Sequence, residues 1–246
     1  KQYLSTDQSV VEASWNSVVW DSNVGAWISN DTDILAWMWK RGKGFEVVAY
    51  DGTGSNRTVN HGMNAVPEMM WIRNREIVDN WIVYHKGLDG GNQPATHYMH
   101  LDLDNAEADA SVIFNDTAPT ATQFTVGTND RVNKADDGHL AILFASVTGI
   151  SKVGYYDGSD SSQTITTGFQ PRFVIIRRTN ATQNWVVLDT VRGWASGNDT
   201  RLELDNNSAG NNNTDFGAPI STGFTLEGGT AKCNASGGTF IYYAHA

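Results

Sequence analysis

Three histidines lie close together in the first half of the chain: His85, His97 and His100. Imidazole is a common zinc ligand, and a pair three residues apart can converge, so these are the best metal candidates. Their spacing matches no strong zinc signature, and surface or partly packed histidines are the better reading. Carboxylates are more plentiful, with Asp102, Asp104 and Glu107, then Glu203 and Asp205. A glycosidase needs two acids facing one cleft, about 5–10 Å apart, one of them with a raised pKa. Alternation within Asp102-Leu103-Asp104 would instead put both acids on the solvent face of a strand, opposite a core-facing Leu103. No Glu-x-Asp-x-x-Glu pattern, Gly-x-Ser-x-Gly elbow, phosphate loop or dinucleotide fingerprint is present. No catalytic residue is assigned, and the protein is expected not to be an enzyme. Asp51-Gly52 and Asp157-Gly158 offer oxygens to calcium, but Asp-Gly is also a tight-turn dipeptide, and the turn reading is favoured. Neither a metal site nor a cofactor is expected. Trp194, in the Gly-containing stretch 192–198, is the residue best suited to stack on a sugar and is the glycan-contact candidate.

The elements that would position these residues come from a sequence that repeats itself. One short aromatic strand is written three times, as Ala36-Trp37-Met38-Trp39-Lys40, Ala141-Ile142-Leu143-Phe144-Ala145 and Tyr242-Tyr243-Ala244-His245-Ala246. Gly44-Phe45-Glu46-Val47-Val48-Ala49-Tyr50-Asp51-Gly52 returns as Gly149-Ile150-Ser151-Lys152-Val153-Gly154-Tyr155, then Tyr156-Asp157-Gly158. Asn80-Trp81-Ile82-Val83 returns as Asn184-Trp185-Val186-Val187. The period, roughly a hundred residues, is that of a duplicated domain, since solenoid units run about 20–50. Chemistry inherent to such a unit should leave the same residue types in both copies. His85, His97 and His100 align with Asp189, Asn198 and Arg201, so the histidine set is not a property of the repeat.

Short apolar or alternating runs at 45–50, 69–72, 81–84, 110–114, 124–126 and 140–144 predict strands in the first copy. Those at 152–156, 173–177, 185–188, 202–204, 224–226 and 240–243 predict them in the second. Gly/Asn/Asp clusters separate them at sandwich-like spacing. No sustained helical periodicity appears, and only 105–110 could form a helical turn. Phe173-Val174-Ile175-Ile176 has no polar side and should be a central strand buried on both faces. The fold class is therefore all-β, two tandem homologous β-sandwich, jelly-roll-like domains preceded by a partial third copy. The boundaries are 1–40 for the partial repeat, 41–145 for repeat 1 and 146–246 for repeat 2. The connector Ser146-Val147-Thr148-Gly149 is too short for a flexible linker, so the repeats should be rigidly juxtaposed. Trp37 and Trp39, two apart, should point to one face as core residues. The Asn-rich loop 206–214 is the expected excursion.

Seventeen basic against 27 acidic residues give a net charge of −10, which disfavours a phosphate backbone or an anionic membrane as partner. No apolar run approaches the ~20 residues of a membrane span, so no membrane insertion is expected. Cys233 is alone, which excludes an intrachain disulfide. Eight Asn-x-Ser/Thr triplets occur, from Asn30 to Asn234, and are read as turn chemistry rather than glycosylation sites. Residues 1–33 match only the closing third of a repeat, leaving Trp15, Trp20 and Trp27 without the strands to cover them. Strands upstream of Lys1 or a neighbouring subunit would complete them, and a homo-oligomer is expected.

The series Gly44–Thr53, His61-Gly62…Pro67, Asn80-Trp81-Ile82-Val83-Tyr84-His85 and Asn115-Asp116-Thr117-Ala118-Pro119-Thr120 resembles a β-rich repeat of tailed-bacteriophage structural and tail-associated proteins, often marine or cyanobacterial ones. Copy two matches through Arg177-Arg178-Thr179, Asn184-Trp185, Leu188-Asp189-Thr190-Val191-Arg192-Gly193 and residues 234–243. The resemblance covers 36–246. It carries over no catalytic or ligand residues. It implies a non-catalytic virion structural protein on the particle exterior, a tail fibre, appendage or surface-decoration component in an extracellular setting. Its partners would be other virion proteins and host surface polysaccharide. Members often have a longer connector than Arg41-Gly42-Lys43. The alternative is a secreted carbohydrate-binding or adhesin module.

Overall fold

The computed structural model describes residues 37–206 and 211–246, together with residue 9 and the backbone of four short N-terminal strands. Those four are β1 (Gln2–Tyr3), β2 (Ala13–Ser14), β3 (Val18–Asp21) and β4 (Ala26–Ser29). β3 and β4 form an antiparallel pair with Trp20 opposite Trp27. Trp15 lies outside the described residues.

The first half contributes β5 (Phe45–Asp51), β6 (Arg57–Asn60), β7 (Met69–Asn74), β8 (Ile82–His85), β9 (His97–His100), β10 (Ala108–Asp109), helix α1 (Ser111–Phe114), β11 (Gln123–Val126), helix α2 (Asp130–Asn133) and β12 (Gly138–Phe144). Its main sheet has the order β10-β9-β8-β7-β12-β5, all antiparallel, and β6 pairs with β11 in a small second sheet. The second half contributes β13 (Ser151–Asp157), β14 (Gln163–Thr166), β15 (Phe173–Arg178), β16 (Val186–Asp189), β17 (Asp199–Glu203), β18 (Asn211–Thr214), β19 (Pro219–Ile220), β20 (Gly223–Leu226) and β21 (Thr239–His245). Its main sheet is ordered β13-β21-β15-β16-β17-β18, with β14, β20 and β19 as the second sheet. Taken from the outer strand, each half pairs its first strand with its last. The last strand then pairs with the strand entered through Pro67 or Pro171.

The period of two along the central strands explains the layering. In β7, Met69 and Trp71 point one way and Met70 and Ile72 the other, and all are buried. β15 repeats this with Phe173 and Ile175 against Val174 and Ile176. One face of each main sheet packs on its own small sheet. The outer core of the first half gathers Met70, Ile72, Phe114, Phe124 and Leu143; that of the second gathers Val174, Ile176, Trp194, Phe224 and Tyr242. The opposite faces pack against each other. Met69, Trp71, Trp81, Val83 and Phe144 meet Val153, Phe173, Ile175, Trp185 and Tyr243 in one inner core. Besides the two outer cores, the most aromatic core lies between the halves, because the central strands are apolar on both faces.

Some expectations change. Of the run 110–114, expected as a strand, Ser111–Phe114 form α1, and 105–110 make no helical turn. The reason is tertiary. One helical turn aims Ile113 and Phe114 into the outer core, and Asn115 and Asp116 end it with φ of 50° and 48°. Asn211–Thr214, expected as part of an excursion, pairs with β17. Residues 37–40 form no strand, although Trp37 and Trp39 both turn to the inner core while Met38 is 58% exposed.

Candidate functional site

The residues that recur in both halves cluster where the fourth main-sheet strand begins. Asp102 Oδ1 accepts the Trp81 backbone N–H at 3.1 Å, and its Oδ2 accepts from Asn80 Nδ2 at 3.2 Å. Asp205 does the same for Trp185 (3.0 Å) and Asn184 (3.2 Å). Burial pushes both carboxyls up, against these hydrogen bonds. Arg73 and Arg177 occupy the same place on β7 and β15, buried on the inner face. Arg177 Nη2 donates to the Asn105 carbonyl, and its guanidinium lies 5.6 Å from the Trp185 ring centre. Trp185 Nε1 donates to the His100 carbonyl at 2.8 Å, so the cluster also stitches the halves together.

A second shared pair is Asn133 and Asn234, both fully buried. Asn133 accepts from the Thr53 N–H and donates to the Ser55 and Gly127 carbonyls. Asn234 accepts from the Ser159 N–H and donates to the Ser161 and Glu227 carbonyls. Each clamps the loop after the first strand of its half. Asn234, one of the Asn-x-Ser/Thr acceptors, is thereby closed to glycosylation.

Around these fixed points the halves differ. The ladder places Ile82 opposite His100 and Val186 opposite Glu203, so His100 corresponds to Glu203 rather than Arg201. The backbone turn Asn129-to-Asn133 matches Thr230-to-Asn234, which makes Arg131 the counterpart of Lys232. Arg131 Nε pairs with Asp79 at 2.6 Å. Lys232 Nζ instead lies 2.6 Å from Glu203 Oε1 and donates to Asn184 Oδ1 at 2.8 Å. Burial pushes the Glu203 carboxyl up, but the hydrogen bonds from Lys232 and Arg201 outweigh it and hold it below the usual range.

The sequence candidates fall as follows. His97 and His100, three apart on one strand, point to opposite faces. His85 is buried, accepting the Gly87 N–H on Nδ1 and facing the Tyr242 carbonyl through Nε2. Among the described residues no group of three His, Cys, Asp or Glu side chains could hold a metal. Asp102 is not on a solvent face as expected; Leu101 faces the core and the carboxylate is buried with it. Glu107 accepts from the Asp89 N–H and the Thr179 hydroxyl. The Asp-Gly pairs are not hairpin turns. A Cβ on Gly52 would come within 2.0 Å of the Lys134 carbonyl oxygen, and one on Gly158 within 2.0 Å of that of Ala235, so close backbone approach demands the glycine. The glycan-contact candidate Trp194 is corrected. It is 2% exposed, donates through Nε1 to the Gly217 carbonyl and packs edge-on to Phe224, so it offers no face to a sugar.

A groove of about 300 Å³ runs along Trp37, Met38 and Trp39, lined also by Arg172, Phe173, Asp189 and His245. Trp37 Nε1 donates to Asp189 Oδ2 at 2.8 Å and Trp39 Nε1 to the Tyr243 hydroxyl at 3.0 Å. No described helix is long and apolar enough to cross a membrane.

A domain of unknown function, DUF7483, matches residues 5–246, spanning the N-terminal segment and both halves. The chain belongs to the DUF7483 family. No curated protein matches it. The DUF7483 signature thus treats as one unit the stretch that the sequence divides at 40 and 145. The Arg–Asp–Asn–Trp cluster, which sequence reading missed, was detectable in the same repeat. Asn80/Asn184, Asp102/Asp205 and Arg73/Arg177 keep their types across the two copies.

Proposed function

We propose that this DUF7483 chain is a non-catalytic structural protein of a tailed-bacteriophage particle, built by duplication of one jelly-roll-like β-sandwich unit. It would stand on the particle exterior as an appendage, tail-fibre or decoration component, contacting other virion proteins. The observation that carries this reading is how the shared polar residues are used. Arg73/Arg177, Asn80/Asn184, Asp102/Asp205 and Asn133/Asn234 sit at matching positions in the two halves. Asp102, Asp205, Asn133 and Asn234 bond backbone groups, Asn80 and Asn184 hold the two carboxylates, and Arg177 reaches across to Asn105. What the repeat keeps is a way of fixing strand ends and loops, as a building block needs. The same strand order in both main sheets supports duplication, and the acidic balance suits an exposed particle surface. A contact with host polysaccharide would have to use a surface other than Trp194. Peptide mass spectrometry of purified particles should find this chain in fixed stoichiometry with known virion proteins. Its absence from particles, with the protein present free in the lysate, would remove the reading.

A further inference from the structure

In the second half a lysine amine stands between a carboxamide and a carboxylate that come from separate stretches of the chain. Lys232 Nζ lies 2.8 Å from Asn184 Oδ1 and 2.6 Å from Glu203 Oε1. The Lys232 side chain is 24% exposed and that of Glu203 10%. Asn184 Nδ2 donates to Asp205 Oδ2 at 3.2 Å, which fixes the amide so that its carbonyl, not its nitrogen, meets the amine. An amine held against a carboxamide, with a carboxylate in proton-transfer range, is equipped for aminolysis of the amide. We propose that Lys232 and Asn184 become joined by an isopeptide bond that the folded chain forms by itself.

The step balances without any further reagent. Within the Lys232–Glu203 pair a proton passes from Nζ to Oε1, leaving a neutral amine. The nitrogen lone pair adds to Cγ of Asn184, the Nζ–Cγ bond forms and the Cγ–Nδ2 bond breaks. Glu203 returns the proton to the departing nitrogen, then takes the second proton from Nζ and hands it on, so that a neutral amide remains and the nitrogen leaves as ammonium. Nothing is oxidised or reduced. Two influences on Glu203 oppose each other: burial favours the neutral acid, whereas Lys232 and Arg201, whose Nε is 3.0 Å from the same oxygen, favour the carboxylate.

The first half supplies an internal comparison. Its counterparts are Asn80, His100 and Arg131, and a guanidinium does not lose its proton in a protein, so Asn80 remains a free amide.

Intact-mass measurement of the full chain after prolonged incubation at neutral pH tests this. The expected mass is lower than the sequence mass by one ammonia. A digest should contain the Lys232 peptide covalently joined to the Asn184 peptide. K232R keeps the ion pair with Glu203 and should restore the full sequence mass, as should N184A. E203Q, which removes the proton acceptor, should do the same. A wild-type chain at full sequence mass would overturn the proposal. So would an ammonia deficit that survives in K232R, since that would place the loss in a succinimide elsewhere.

Discussion

His85 shows how one buried side chain sets the chain's response to acid. Its Nδ1 accepts the Gly87 N–H at 3.0 Å, so the neutral tautomer carries its proton on Nε2, facing the Tyr242 carbonyl at 3.2 Å. Protonating Nδ1 would turn two donors on each other inside the inner core. Burial pushes the imidazole pKa down from 6.5 to about 3. Folded chains therefore bind fewer protons than unfolded ones between those values, and stability falls as pH drops through that window. Above pH 6.5 the two states match and nothing is lost. His139, also buried and shifted downward, acts in the same direction. Unfolding free energies at pH 6.5 and pH 5, from denaturant titrations, should differ by about 1.6 kcal/mol on account of His85 alone. In H85N that share should vanish, leaving a flatter profile. An unchanged pH dependence would show that His85 titrates normally. In the sequence His85 was legible as a surface or partly packed histidine, or at most a ligand, because neither its full burial nor its partner from the other half leaves a local mark.

At the scale of elements, the paired asparagines are the more general device. Asn133 and Asn234 each close a loop with three hydrogen bonds between one amide and the backbone, at equivalent turns of the two halves. Truncation to alanine removes the acceptor of one backbone N–H and a donor to two carbonyls at part-buried or buried positions, which should cost about 1–3 kcal/mol. N133A and N234A should therefore lower the unfolding midpoint by similar amounts. If either variant matched the wild type in equilibrium denaturation, the clamps would not be equivalent. Much at this scale was readable from sequence. Strands β5, β7, β12, β15 and β21 fall within a residue or two of their apolar runs. Phe173-Val174-Ile175-Ile176 is buried on both faces as its lack of a polar side implies. What failed is instructive. The run Val112-Ile113-Phe114 has strand propensity but makes one helical turn, because the outer core takes Ile113 and Phe114 only from that shape. Leu103 was placed toward the core by simple alternation, yet the chain bends after β9 and Leu101 takes that place.

Across the whole molecule, the two halves depend on each other for their inner faces. Without its partner, the first half would expose Met69, Trp71, Trp81, Val83, Met99 and Phe144 as one apolar surface. Residues 41–145 produced alone should therefore self-associate or precipitate. Size-exclusion chromatography with light scattering would detect this, and a folded monomer at high concentration would contradict it. Nothing in either copy's own pattern announced that its second apolar face belongs to the other copy. Alternation shows that a strand is buried twice, not by what.

The latch at Trp37 and Trp39 has a mechanical consequence. Trp39 is bonded to Tyr243 and stacked on Phe45, while Trp37 and Met38 share their groove with His245 and Ala246. Residue 37 and residue 246 thus stand side by side at one end of the main sheets. Tension applied between those two points does not run along the strands. It loads first the hydrogen bonds of the two indoles, Trp37 to Asp189 and Trp39 to Tyr243, and a few ring contacts. The other point of attack is continuous with β21, which lies between β13 and β15 and is held by hydrogen bonds along both edges, so the latch parts before that strand leaves its sheet.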